Sequence, residues 1–126
     1  MTEEKSLNIL LIDDDPVIIT MLEKRLSEKG HIIDLSQDAP AGLQKAMDSQ
    51  PDLIILDVMM PVINGYNVCR LLKSEDATKD IPIILLTSRN AQEDVAIGMD
   101  MGADAYLMKP VDIDEVFRTV SLVTQK

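Results

Sequence analysis

Short apolar runs alternate with longer amphipathic stretches along the whole chain, and that alternation restricts the fold more than any other feature. Leu7 to Ile12, His31 to Leu35, "DLIILD" ending at Asp57, Ile81 to Thr87 and Ala105 to Met108 have the length of strands. Continuous apolar runs, as opposed to alternating ones, belong to strands covered on both faces. A helix follows each run. In the first, Asp15 is a capping residue and Pro16 takes the first helical position; Ile18, Met21, Leu22 and Leu26 share one side, and Gly30 ends it. A second helix is expected from about Ala39 to Ser49. A third turns Val68, Cys69 and Leu72 inward, and a fourth, Gln92 to Met101, stops at Gly102. The fifth opens with a capping box, Asp112 and Glu115, and packs through Ile113, Val116, Phe117 and Val120. Five strand–helix units in series predict an α/β fold, a doubly wound parallel sheet with right-handed crossovers and helices on both faces.

With 126 residues and no linker or repeat, the pattern fits one domain, 1–126, with its core at about 7–125. Met1 to Ser6 is polar and acidic, unlike a secretory signal, and no apolar run nears the roughly 20 residues of a membrane span. One cysteine, Cys69, cannot form an internal disulfide, which suits a reducing cytoplasm. Cys69 reads as a small core residue, and His31, at a strand start, as an exposed surface histidine. A net charge of -10 opposes direct binding to nucleic acid, which depends on Lys and Arg neutralising phosphates. With no Trp, one Phe and two Tyr, base-stacking platforms are not expected either.

Ligands of open parallel sheets bind beyond the carboxyl ends of the strands. The first strand leaves Asp13 and Asp14 there, the second only Ser36 and Gln37. The third leaves Asp57, the fourth Thr87 with Ser88, and the fifth Lys109 before Pro110. Singly, each has an ordinary explanation: a solvated turn, a strand-end hydroxyl, a surface cation. Together they bring three carboxylates, a hydroxyl and an ammonium to one rim. Two carboxylates about 4 Å apart repel by roughly 4 kcal/mol at an effective dielectric of about 20, a cost that a divalent cation reverses. All-oxygen ligands suit Mg²⁺, whereas His31 and Cys69 sit at no zinc-ligand spacing. A carboxylate can also attack phosphorus to give an acyl phosphate, with the lysine and hydroxyl stabilising the transferring oxygens.

The set "DD", "LDVMMPVING", "LLTS" and "GADAYLMKP", in order on successive strands, resembles the receiver domain of two-component response regulators over about Leu7 to Gln125. That resemblance implies a flavodoxin-like sheet in the order 2-1-3-4-5 with five helices. It implies that Asp57 is the phospho-acceptor and that Asp13, Asp14, Asp57 and the backbone carbonyl of Met59 hold Mg²⁺. Asp15 stays with the helix cap. Lys109 matches the family lysine before a usually cis peptide to Pro110; Thr87 matches the switch hydroxyl and Tyr106 the aromatic that follows it inward. Ser88 stands where Ala is common, and Met59 and Arg89 occupy positions that tune the lifetime of the phosphorylated state.

The implied function is acceptance of a phosphoryl group from a histidine kinase or phosphotransfer protein, with self-catalysed phosphorylation and dephosphorylation only, so a switch and not an enzyme. A downstream protein would dock on the fourth helix, fifth strand and fifth helix. The chain is expected to be cytoplasmic, a monomer or a phosphorylation-dependent dimer. It is also expected to act as a stand-alone, chemotaxis-regulator-like receiver with no output domain, no membrane contact and no direct DNA binding.

A haloacid-dehalogenase-type phosphatase using Asp13 is the competing enzyme class. Asp13, Asp15 and Val17 satisfy its first motif, and Thr87 and Lys109 follow in order. It needs a further acidic pair after the lysine, and it gives Asp57 no role. A degenerate, binding-only receiver is the third reading, opposed by the retention of acceptor, acidic pair, hydroxyl and lysine together.

Overall fold

Every residue of β3 (Leu53–Asp57) and β4 (Ile83–Thr87) is buried, as the unbroken apolar runs require. A computed structural model describes residues 6–58, 65–87 and 100–125. β1 (Asn8–Ile12), β2 (Ile32–Ser36) and β5 (Ala105–Met108) complete a five-stranded, all-parallel sheet in the order β2-β1-β3-β4-β5. This is the flavodoxin-like topology, and the chain reverses its winding direction between β1 and β3.

Alternation along each strand divides the core in two. Leu10, Ile12, Ile54, Leu56, Ile83 and Leu85 face α2 (Ala39–Ser49) and α3 (Gly65–Ser74), where Ala46, Val68, Cys69 and Leu72 meet them. Ile9, Leu11, Leu53, Ile55, Ile84 and Leu86 face α1 (Pro16–Glu28) and the C-terminal helix (Ile113–Thr124), packing on Leu22, Leu26, Val116 and Val120. The inward positions expected for α3 and the C-terminal helix are therefore the observed ones. The fourth expected helix, from Gln92, lies outside the described residues apart from Asp100 and Met101.

Local chemistry sets the boundaries. Asp15 caps α1 by accepting the Val17 N–H at 2.9 Å, with Pro16 at the first position. At the other end the Gly30 N–H donates to the Ser27 carbonyl and the His31 N–H to that of Leu26, the paired bonds of a Schellman turn. That turn needs the left-handed backbone that Gly30 supplies at φ +94°. β4 begins at Ile83, two residues after the sequence suggests, because Pro82 has no N–H to give the ladder; its carbonyl still accepts from Ile54. Asp112 caps the C-terminal helix through the Asp114 N–H.

His31 departs from expectation: it is buried, and its Nδ1 accepts the Leu7 N–H at 3.1 Å. The start of β1 lies against the end of the α1 turn, so the imidazole replaces water for a backbone donor 24 residues away in sequence.

β2 is an outer strand, and its exposed edge is partly occupied. The Leu35 N–H donates to Asp34 Oδ1, and the Leu35 carbonyl accepts from Lys45 Nζ, which also pairs with Asp34 at 3.1 Å.

Candidate functional site

The two central strands end in the buried acids. Asp13 follows β1 and is wholly buried; Asp57 closes β3 at 2% exposure. Because β1 and β3 are neighbours, residues 44 apart in sequence share one rim at the reversal of strand order. Thr87 closes β4 and is buried. Lys109 follows β5, anchored where its N–H donates to the Thr87 carbonyl at 2.7 Å. The Lys109–Pro110 peptide is cis.

Carboxylate oxygens of Asp13, Asp14 and Asp57 all lie within 4.8 Å of one another, Asp14 being the exposed member. Lys109 Nζ lies 3.2 Å from Asp13 Oδ2 and 3.5 Å from Asp57 Oδ1. Asp13 Oδ1 accepts the Asp15 N–H at 2.9 Å, and the Asp13 N–H donates to the Ser36 carbonyl, so β2 also fixes this corner. Asp13 Oδ2 is close enough to Lys109 for an ion pair but lacks the alignment of a hydrogen bond, and it has no other partner among the described residues. Burial pushes the Asp13 carboxyl from its ordinary 3.8 up to about 6; the Asp15 N–H and Lys109 oppose the rise, and the charge of Asp57 adds to it. Burial also works against the Lys109 ammonium, but the carboxylates of Asp57 and Asp13 outweigh it and hold its pKa above the ordinary value.

An under-partnered buried carboxylate oxygen, facing an all-oxygen group of three acids, fits a hard divalent cation of the Mg²⁺ class. The same geometry suits a nucleophile. Asp57 is fixed by its strand and faces a cation, and the neighbouring strand ends one residue beyond its register partner in Thr87.

Of the predicted residues, Asp13, Asp14, Asp57 and Lys109 converge, with Thr87 on the adjacent strand end. Tyr106 stands apart on the outer strand β5 and is 40% exposed. Met59, Ser88 and Arg89 lie outside the described residues. Asp15 is occupied as a helix cap. Cys69 is a core residue as expected, its thiol pushed up to about 11 by burial. Sequence reasoning missed Gly65. Its N–H donates to the Val58 carbonyl at 3.0 Å, and it passes against the backbone of Asp57. In the sequence it closes the stretch "LDVMMPVING" and stands at the first position of a helix, and neither mark shows what it packs against.

Comparison with known proteins agrees with this geometry. A family model described as the response regulator receiver domain matches residues 9–121. Response regulator ArlR of Staphylococcus haemolyticus is 38% identical over 119 residues, which cover 94% of this chain and 53% of ArlR. The crystal structure of a putative response regulator from Chloroflexus aurantiacus superposes with a TM-score of 0.93 at 30% identity, covering 97% of this chain and all of that one. The receiver domain of sensor histidine kinase PA1611 from Pseudomonas aeruginosa, solved with a magnesium ion coordinated in its active site cleft, gives a TM-score of 0.87 at 29% identity, covering 95% and 98% of the two chains. The chain spans about half the length of the curated relatives it matches.

Proposed function

The chain belongs to the response regulator receiver family, and from that premise we propose that it is a phosphorylation switch whose acceptor is Asp57. The observation that carries this is the buried Asp57 carboxylate, held beside Lys109 and sharing a 4.8 Å oxygen cluster with Asp13 and Asp14. The donor is the phosphohistidine of a histidine kinase or phosphotransfer protein. An Asp57 oxygen attacks phosphorus; the new O–P bond forms as the N–P bond breaks, and the electron pair returns to the imidazole nitrogen, which takes a proton from solvent. Lys109 follows the charge from carboxylate to phosphoryl oxygen, and Thr87 supplies a hydrogen bond to the same group. Asp13, Asp14, Asp57 and the carbonyl of Met59 would hold Mg²⁺, which when bound neutralises phosphoryl oxygen charge. Attack of water on the acyl phosphate returns free Asp57 and phosphate, so the chain turns itself off without being an enzyme for another substrate.

The added charge draws Thr87 and Lys109 toward it, and Tyr106, now outside, moves into the space that Thr87 leaves. A change in population from about 1:99 to 99:1 needs roughly 5.5 kcal/mol of differential stabilisation. Charge-assisted hydrogen bonds and repacking contribute part of it, and a partner protein docking on the fourth helix, β5 and the C-terminal helix contributes the rest. The switch works in the cytoplasm, as a monomer or a phosphorylation-dependent dimer. With a net charge of -10 it signals through protein and does not itself grip DNA; a tight, salt-sensitive complex of this chain with duplex DNA would overturn that part.

The test is intact-protein mass after incubation with acetyl phosphate, with and without Mg²⁺, for the parent and Asp57→Ala. One phosphoryl adduct that needs Mg²⁺ and is lost in the variant is the expected result. No adduct on the parent from either acetyl phosphate or a phosphohistidine protein would leave a binding-only module. An adduct that survives Asp57→Ala but is lost in Asp13→Ala would move the nucleophile to Asp13.

A further inference from the structure

Two contacts fix the backbone just after the acceptor. The Val58 N–H donates to the Leu86 carbonyl of β4 at 3.0 Å, and the Val58 carbonyl accepts the Gly65 N–H at 3.0 Å. Gly65 is buried at the start of α3 and does not have the left-handed backbone of Gly30 or Gly102, so conformational freedom does not explain it. Space does. A Cβ at this position would lie 2.6 Å from Val58 Cα and 2.9 Å from the Asp57 carbonyl carbon, and closer still to the Asp57 carbonyl oxygen.

All three of those atoms are backbone, so none can swing aside as a side chain would. Gly42 differs in kind: an added Cβ there meets side-chain atoms of Ile12, the nearest being Cδ1 at 2.6 Å, and no backbone atom. At Gly65 either α3 or the acceptor segment must move. α3 is locked into the core by Val68, Cys69 and Leu72, all fully buried, and Val58 is tied to β4 on its far side. The strain therefore falls on the short length of backbone that carries Asp57.

We infer that Gly65 is a positioning residue for the acceptor, setting through the Asp57–Val58 backbone where the Asp57 carboxylate meets Lys109 and the acidic pair. This rests on Asp57 being the phospho-acceptor. In-line attack at phosphorus depends on sub-ångström placement, and a displacement of about 1 Å costs on the order of 100-fold in rate. A methyl group at residue 65 reaches the reacting carboxylate only through main chain, and so it alters the turnover step and not the affinity for the phosphodonor.

The experiment compares the parent, Gly65→Ala, Gly102→Ala and Asp57→Ala, using acetyl phosphate with Mg²⁺ and adduct formation followed by mass. Gly102 has φ +98°, and a Cβ there would sit 3.0 Å from Lys73 Cγ, at the other end of the sheet. Its alanine variant loses thermal stability with no path to the site. Gly65→Ala is expected to keep the parent's circular dichroism and to lose about 10- to 100-fold in the limiting rate of phosphorylation. The phosphodonor concentration for half-maximal rate should change less than twofold. Gly102→Ala should melt earlier than the parent and react at the parent's rate.

Amide hydrogen exchange on the parent gives a reading that needs no variant to fold. The Gly65 N–H is expected to be as protected as that of Val58. A folded Gly65→Ala that reacts within twofold of the parent, or a Gly65 amide that exchanges like an open loop, overturns the inference. If the parent takes up no phosphoryl group, or Asp57→Ala still takes it up, the acceptor assignment fails first and the inference falls with it.

Discussion

The two ends of the sheet each set a lysine against acid, in opposite ways. At the amino-terminal end, Lys73 Nζ donates to Asp104 Oδ2 at 3.0 Å and to the carbonyls of Ile81 and Lys79 at 2.8 and 3.3 Å. Asp104 Oδ2 also accepts the Ile83 N–H at 2.8 Å. Every direction of that ammonium is used, and its carboxylate is part exposed. At the carboxyl-terminal end, Lys109 stands between two buried acids at 3.2 and 3.5 Å, and among the described residues Asp13 Oδ2 has no aligned hydrogen bond. One cluster is finished and holds α3 to the starts of β4 and β5. The other gathers three carboxylates about one ammonium, a net negative group whose mutual repulsion a divalent cation would lower. The comparison separates polar groups that stabilise a fold from polar groups the fold must restrain.

Removing each cation should give the clearest contrast. Lys109→Met removes the cation that stands between two buried carboxylates and is expected to lower the stability of the metal-free protein by about 3 kcal/mol in urea unfolding. Mg²⁺ should recover much of that loss while phosphorylation stays slow. Removing one acid should reverse the sign. Asp13→Asn is expected to raise metal-free stability by about 2 kcal/mol and to abolish stabilisation by Mg²⁺, because it relieves repulsion instead of breaking a satisfied bond. A destabilised Asp13→Asn would show that the site is electrostatically balanced without metal.

Acidity gives a smaller effect. Burial raises the Asp13 carboxyl to about 6, so its contribution is whole below its ordinary 3.8 and is lost as pH rises through about 6. Between about pH 5 and 7.5, protein in EDTA should lose on the order of 1.5 kcal/mol from this group, and Asp13→Asn should not show that loss. The smallest expected effect is at the finished cluster. Lys73→Met or Asp104→Asn should cost about 1 kcal/mol, since both groups are partly solvated, and leave the rate of phosphorylation unchanged.

Residues whose role follows from chain position were legible in the sequence. Asp57, Thr87 and Lys109 end apolar runs, and parallel strands must bring those ends to one rim. Asp15 before Pro16 marks the start of α1 by local chemistry, a capping carboxylate followed by a ring that needs no N–H partner. What was not legible depends on approach between distant segments. Burial of His31 comes from Leu7 lying against it, and a single polar residue at a strand start carries no sign of that. The constraint on Gly65 is the absence of a Cβ beside another residue's main chain, and one sequence cannot distinguish it from a helix-breaking glycine. The shifted start of β4 was predictable in principle, because Pro82 forbids the ladder bond that an apolar count ignores.

The outer strand β2 bears on a different matter, the company of other copies. Templating of one chain by another begins where a sheet edge offers a donor and an acceptor in register. At Leu35 both are already taken, the N–H by Asp34 and the carbonyl by Lys45. A crowded population of this protein therefore meets, toward the carboxyl end of that edge, an ion pair where a growing aggregate would need a free peptide group.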